Sequence, residues 1–236
     1  MQLSTLWPTW IIEIRSIQLT VLVIIFVALT ALVALHPTSG FDNFVSLYFR
    51  SIHGRNANID AVMITATSFG DVSTLLIMAI VLTIIRRTRK MGMIFLTTIV
   101  IIAILVMYIK PIIGRSGPPY KFEPALQLPK HFIIEDDSLL PSARNFSYPS
   151  NHVAITTAFA FIVGFGLNRR SRIAASIIWS FPVIIAITKL YIMQHYLTDT
   201  ISGSILGLVV STILSNMMGL DKPFSMSRFK GKDNMR

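Results

Sequence analysis

The chain has 236 residues, 53% of them hydrophobic and only 14% charged, against roughly 25% charged in a soluble domain, and its mean hydropathy is +0.66. These values exclude an ordinary water-soluble enzyme and predict an all-α, polytopic membrane protein built as one domain. The lack of cysteine excludes disulfides, thiolate metal sites and cysteine nucleophiles, and the net charge of +10 reads as basic loops that orient a membrane protein rather than as a nucleic-acid surface.

Apolar runs lie near residues 17–35, 60–85, 92–110, 152–167, 173–193 and 197–217. Each supplies about twenty residues of helix, enough for a ~30 Å hydrocarbon core, so about six transmembrane helices forming one bundle are expected. The first run has no small-residue cleavage site closely after a short apolar core, and reads as a retained helix rather than a signal peptide. In the 37–59 stretch, Phe41, Phe44, Val45, Tyr48 and Phe49 recur at helical spacing. That stretch is either an amphipathic interfacial helix or a connecting loop with membrane-dipping aromatics. RRTRK (86–90), NRRSR (168–172) and the basic tail of about 221–236 fall in alternate connections. The positive-inside rule places them and the N-terminus in the cytoplasm. The 37–59 stretch, the long 111–151 loop with its EDD run (135–137) and the turn between the last two runs then lie on the other side.

No internal repeat or second domain is visible, so residues 1–236 read as a single integral-membrane domain whose motif-bearing part spans about 100–215. Asn145-Phe146-Ser147 matches a glycosylation sequon on the non-cytoplasmic side. The small-residue pattern Gly203-Ser204-Ile205-Leu206-Gly207 is too common in membrane helices to assign a dimer face, and the oligomeric state is unreadable.

Three polar groups converge on that non-cytoplasmic face. KPIIGRSGPPYK carries Lys110 and Arg115, YPSNH carries Ser150, Asn151 and His152, and TKLYIMQHYLTD carries Lys189, His195 and Asp199. Taken singly, the lysines read equally well as side chains snorkelling to the interface, Arg115 as a solvated loop residue, and Ser150 as a helix cap. His195 and Asp199 are four apart and share a helix face, either as a structural pair or as an oriented nucleophile. Together, three cations, two histidines, a carboxylate and a serine at one depth favour an anion site, with a helix N-terminus to help hold a phosphate. Two histidines can divide in-line attack on phosphorus from protonation of the departing oxygen. No metal or other cofactor is required, and no cluster of carboxylates stands out to bind one.

These segments resemble the type 2 phosphatidic acid phosphatase family, which shares its site with bacterial acid phosphatases and vanadium haloperoxidases. The family pattern is Lys, six residues, Arg-Pro; then Pro-Ser-Gly-His; then Ser-Arg, five residues, His, three residues, Asp. Here the second part reads Pro149-Ser150-Asn151-His152 and the third Thr188-Lys189, five residues, His195, three residues, Asp199. The first part begins at Lys110, with Gly117-Pro118 where the family has Arg-Pro. The resemblance implies that His195 is a nucleophile forming a phosphohistidine, that Asp199 orients it, and that His152 is the general acid and later the base. It also implies that Ser150, Lys110 and Lys189 hold phosphoryl oxygens, with the Asn151 backbone N–H assisting and Arg115 a candidate substitute for the missing arginine. Lys189 in place of Arg loses a bidentate fork, and losing one transition-state donor costs roughly 10²–10³ in rate.

The expected function is a metal-independent membrane lipid phosphate or diphosphate phosphatase with its site on the non-cytoplasmic face. Its substrate partner is of the isoprenyl diphosphate, phosphatidic acid or phosphatidylglycerol phosphate type. The alternatives are a lipid phosphotransferase using the same intermediate, or a non-catalytic lipid-phosphate binder or transporter on the same scaffold. Haloperoxidase chemistry fits nothing else in the chain.

Overall fold

The structure, a computed structural model, describes residues 12–129, 134–137, 143–168 and 170–221. Most of the 221–236 tail and the N-terminus therefore lie outside the described residues, as does Arg169 of the NRRSR cluster. Among the described residues the protein is all-helical: α1 (Ile17–Ala34), α2 (Ser39–Ile52), α3 (Ala57–Phe69), α4 (Val72–Ile84), α5 (Arg89–Ile113), α6 (Asn151–Asn168), α7 (Arg172–Ile178), α8 (Ser180–Tyr191) and α9 (Leu197–Met217).

Every expected apolar run is helical, and five stretches are long and apolar enough to cross a membrane. Two runs are broken. The 60–85 run becomes α3 and α4, bent by 46° at Gly70-Asp71. The 173–193 run is interrupted at Trp179 but still passes as one span, Arg172–Tyr191. Local chemistry sets several ends: Ser16 accepts from the Leu19 N–H at the start of α1, and Asn56 accepts from Asn58 and Ile59 at the start of α3. Pro111 sits in the last turn of α5, and Gly114, at φ +67, closes that helix in the left-handed conformation that suits glycine.

The 37–59 stretch resolves to the amphipathic helix α2, with its polar side turned inward. Phe41, Phe44 and Tyr48 are exposed while Asp42 and Ser46 are buried. An apolar face left outward suits lipid contact, and the buried acid demands a partner, which the site supplies below.

α6 is the centre of the bundle, packed by α4, α5, α7, α8 and α9, and its side chains are buried almost throughout. Lipid tails are as apolar as leucine, so close fit rather than water exclusion must hold such helices together. The fit is closest against α9. A Cβ at Gly203 would stand 2.4 Å from the Ser150 carbonyl oxygen, and one at Gly207 would stand 2.2 Å from that of Ala154. The small-residue pattern is thus occupied within the chain. Phe95 of α5 packs at a tilt against Phe159 of α6, ring centroids 5.3 Å apart, in one buried cluster with Leu75, Ala79, Ile99 and Ile102.

Gly207→Ala should therefore destabilise the protein by about 1–3 kcal/mol, seen as a lower unfolding temperature in detergent. Gly40→Ala in α2, where nothing lies within 4 Å of the added carbon, should be neutral or gain up to about 1 kcal/mol.

Candidate functional site

α5, α6 and α9 bring the three sequence segments together through backbone contacts. The turn after α5 pairs with the segment leading into α6: Ser116 and Phe146 form an isolated antiparallel bridge, and the Ser147 N–H donates to the Arg115 carbonyl (2.8 Å). The Ser150 N–H donates to the Asp199 carbonyl (3.1 Å), tying the start of α6 to the first turn of α9. Lys110, in the last turn of α5, donates from Nζ to the Phe146 carbonyl (2.8 Å).

Between them lies a carboxylate, Asp137, which sequence reading missed. Its Oδ2 accepts from the Asn151 N–H (2.9 Å) and pairs with Lys110 Nζ (2.9 Å). Its Oδ1 accepts from the His152 N–H (3.0 Å), contacts His152 Nδ1, and lies 3.3 Å from His195 Nε2. The free N–H groups of the α6 N-terminus are thus capped by an acid arriving from the long loop rather than by Ser150, whose buried hydroxyl has no hydrogen-bond partner. Burial alone would push the Asp137 carboxyl up. The Lys110 and His195 charges and the His152 ring against it instead hold it well below the usual carboxylate range.

His195 follows α8 and precedes α9, wholly buried. Its Nδ1 is 3.7 Å from Asp199 Oδ2 and its Nε2 faces Asp137. Burial alone would lower its pKa, but Asp137 and then Asp199 outweigh burial and raise it above the ordinary histidine value. Asp199 is fixed from three directions. Its Oδ2 accepts from the Tyr196 N–H (2.8 Å), its Oδ1 from Arg115 (2.7 Å), and its backbone oxygen from Ser150.

The structure thus brings Lys110, Ser150, Asn151, His152, His195 and Asp199 to one place. It directs Arg115 elsewhere. The guanidinium donates to Asp199, Thr198 and Asp42 and stacks on the Tyr196 ring, leaving it no role in the cradle around Asp137. Thr198 reinforces the arrangement by donating its backbone N–H (3.0 Å) and hydroxyl (2.6 Å) to Asp42. Lys189 is fully buried in α8, its ammonium donating to Gln194 Oε1 (3.0 Å), and Gln194 in turn donates to the Glu135 carbonyl.

The expectation that no carboxylate cluster exists is corrected. Asp71 at the α3–α4 bend and Glu135 in the loop converge on the outer nitrogen of His152, at 3.7 and 3.5 Å from Nε2. Their separation from it in the chain hid them, since bends and loop returns leave no periodic signature. Asp42 did leave one: it stands four residues before Ser46, on the face of α2 opposite the aromatics.

The family model described as PAP2 superfamily matches residues 91–222. The chain is 24% identical over 204 residues to an undecaprenyl-diphosphatase of Sulfolobus acidocaldarius, covering 84% of this chain and 89% of that protein. The crystal structure of a transmembrane PAP2-type phosphatidylglycerolphosphate phosphatase from Bacillus subtilis superposes with a TM-score of 0.69 at 20% identity, over 88% of this chain and 98% of that one.

Arg115→Met would leave Asp42 and Asp199 buried without their cation, a loss of about 3–5 kcal/mol for a buried pair broken on one side. Unfolding in detergent should reveal it, and adding Asp42→Asn to the variant should recover part of the stability.

Proposed function

The chain belongs to the PAP2 superfamily, and on that premise we propose that it is an integral-membrane lipid phosphate phosphatase acting through a phosphohistidine on its non-cytoplasmic face. The observation that carries this reading is the place held by the Asp137 carboxylate. An anion with two oxygens sits against Lys110, both histidines and two N–H groups at a helix N-terminus, as a phosphoryl group requires. Asp137 occupies the cradle in the resting state, and substrate phosphate displaces it.

With phosphate there, Lys110, the Asn151 and His152 N–H groups and the unpartnered Ser150 hydroxyl hold the non-bridging oxygens. Lys189, released from Gln194, adds a point charge. His195 Nε2 attacks phosphorus, forming a P–N bond as the P–O bond to the lipid breaks. Asp199 orients the ring through Nδ1 and offsets the positive charge that grows on it. The 3.7 Å separation is that of a resting site, and such contacts shorten as the reaction proceeds. His152, whose Nδ1 faces the cradle, gives its proton to the leaving oxygen. It then takes one from the water that cleaves the P–N bond, releasing inorganic phosphate and restoring His195. Arg115 acts here as a positioning residue that fixes Asp199.

Two features support a lipid substrate. An apolar groove of about 820 Å³, lined by Phe69, Met78, Phe159, Phe181 and Ile184 among others, begins beside the Gly70-Asp71 bend that reaches His152, and suits a hydrocarbon tail. The relatives named above act on undecaprenyl diphosphate and phosphatidylglycerol phosphate by their descriptions. The basic connections at 86–90 and 168–172 lie at the opposite ends of α4, α5 and α6 from the site. By the positive-inside rule that supports a site on the non-cytoplasmic side.

Detergent-purified protein should release phosphate from a panel of lipid phosphates and diphosphates with chelator present. His195→Ala should lose at least about 10³-fold in rate. Phosphate appearing on an acceptor lipid instead of in solution would identify a transferase, and lipid binding without turnover would identify a binder.

Asp137→Asn removes the competitor and should lower KM. It also removes the anion that raises His195, so the acid limb of the kcat/KM profile should shift to lower pH: with less stabilisation of the imidazolium, the nucleophile is neutral further into acid. A Cβ at Gly117 meets only the Gln194 carbonyl at 3.4 Å and Ser147 Cβ at 3.8 Å. The first carbon of a side chain thus fits there, and Gly117→Arg should raise kcat/KM by at least about tenfold if a donor is restored.

A further inference from the structure

Asp71, Glu135 and His152 offer three ligand atoms, one from each residue, that lie within 4.8 Å of one another. His152 is wholly buried, and its Nε2 has no hydrogen-bond partner; neither has Asp71 Oδ1 beside it. The ring is not free to turn away, because Nδ1 is fastened to Asp137. A carboxylate on one imidazole nitrogen leaves the lone pair of the other directed outward, which is how metal-ligating histidines are held in proteins.

The spacing decides between a proton and a metal ion as what fills this gap. A protonated Nε2 would donate across 3.5 Å to Glu135 and 3.7 Å to Asp71, whereas good N–H···O bonds span about 2.7–3.2 Å. Ligands about 2.0–2.1 Å from a tetrahedral zinc ion stand roughly 3.4 Å from each other, close to the two separations from His152 Nε2. Glu135 is also set in place, since its Oε2 accepts from the Val72 N–H (2.6 Å) at the start of α4, with lone pairs left for a metal.

We propose that Asp71, Glu135 and His152 form a binding site for a zinc-like divalent cation, completed by water, which holds the enzyme at rest. One imidazole and two carboxylates suit Zn²⁺ better than Mg²⁺, which keeps its own water and prefers oxygen alone. The cation would join the loop bearing Glu135 and Asp137 to α4 and α6, fixing Asp137 in the phosphate cradle. It would also keep His152 from its work as acid and base. The effect on turnover rests on the function proposed above, whereas the binding site itself does not.

Titration calorimetry of chelator-treated, detergent-purified protein with Zn²⁺ tests the site directly. One ion should bind per chain, at least about tenfold more weakly in Asp71→Asn and in Glu135→Gln, with Mg²⁺ failing to compete. Glu135→Gln keeps an oxygen for the Val72 N–H, and elution profile and unfolding temperature show whether each variant is folded. Zinc binding that is absent, or unchanged in both folded variants, overturns the proposal. In the phosphate-release assay, micromolar Zn²⁺ should inhibit wild type and lose at least about tenfold in potency against either variant. Inhibition equal in all three would refute the resting role. If no preparation releases phosphate, the phosphatase reading fails while the calorimetry still decides the site.

Discussion

The arrangement depends on how closely α9 approaches α6. Glycines at 203 and 207 let the backbone of one helix touch the carbonyls of the other, and the hydrogen bond from Ser150 to Asp199 locks their ends in register. Without that approach, the acid of one helix and the N–H groups of the other would not frame a common space. The two histidines, forty-three positions apart in the chain, face one carboxylate because these two helix ends cannot separate.

A second constraint follows from solvent. Charges near hydrocarbon must be paired or they are not tolerated, and each buried acid in this bundle has a defined set of donors. Asp60 accepts from the Tyr191 hydroxyl and from the N–H groups of Gly54 and Ala125, fastening the connection between α5 and α6 to α8. Asp42 and Asp199 share Arg115. Asp137 takes Lys110 and the α6 N-terminus. The third set differs in kind, because its acid belongs to a loop rather than to a helix, and the displacement of that acid by phosphate is what the proposed reaction requires.

Much of this was legible in advance. Runs of about twenty apolar residues announce spans because length and composition suffice for a bilayer. Lys110, Ser150, His152, His195 and Asp199 were recoverable because each sits at a helix end within a short ordered motif. What could not be read were contacts made across the chain. Asp137 lies fifteen residues before His152 in a loop without periodicity, and Asp71 depends on a bend that an apolar run conceals. Arg115 was read toward phosphate because it stands two positions from the motif's arginine. In the structure it pairs with Asp42 and Asp199, which come from either side of it in the chain, and neither residue's own pattern points to that arginine.

That two-position offset bears on how relatives should be lined up. The Ser116–Phe146 bridge and the bond from Ser147 to Arg115 pin the register of the turn after α5, so Arg115 cannot slide along to where Gly117 stands. An alignment that opens a gap to superpose Arg115 on the arginine of other sequences would gain apparent similarity and lose the real correspondence. Lys110 through Pro118 should be aligned without a gap, and Gly117 accepted as a true substitution with Arg115 as an independent feature of this chain.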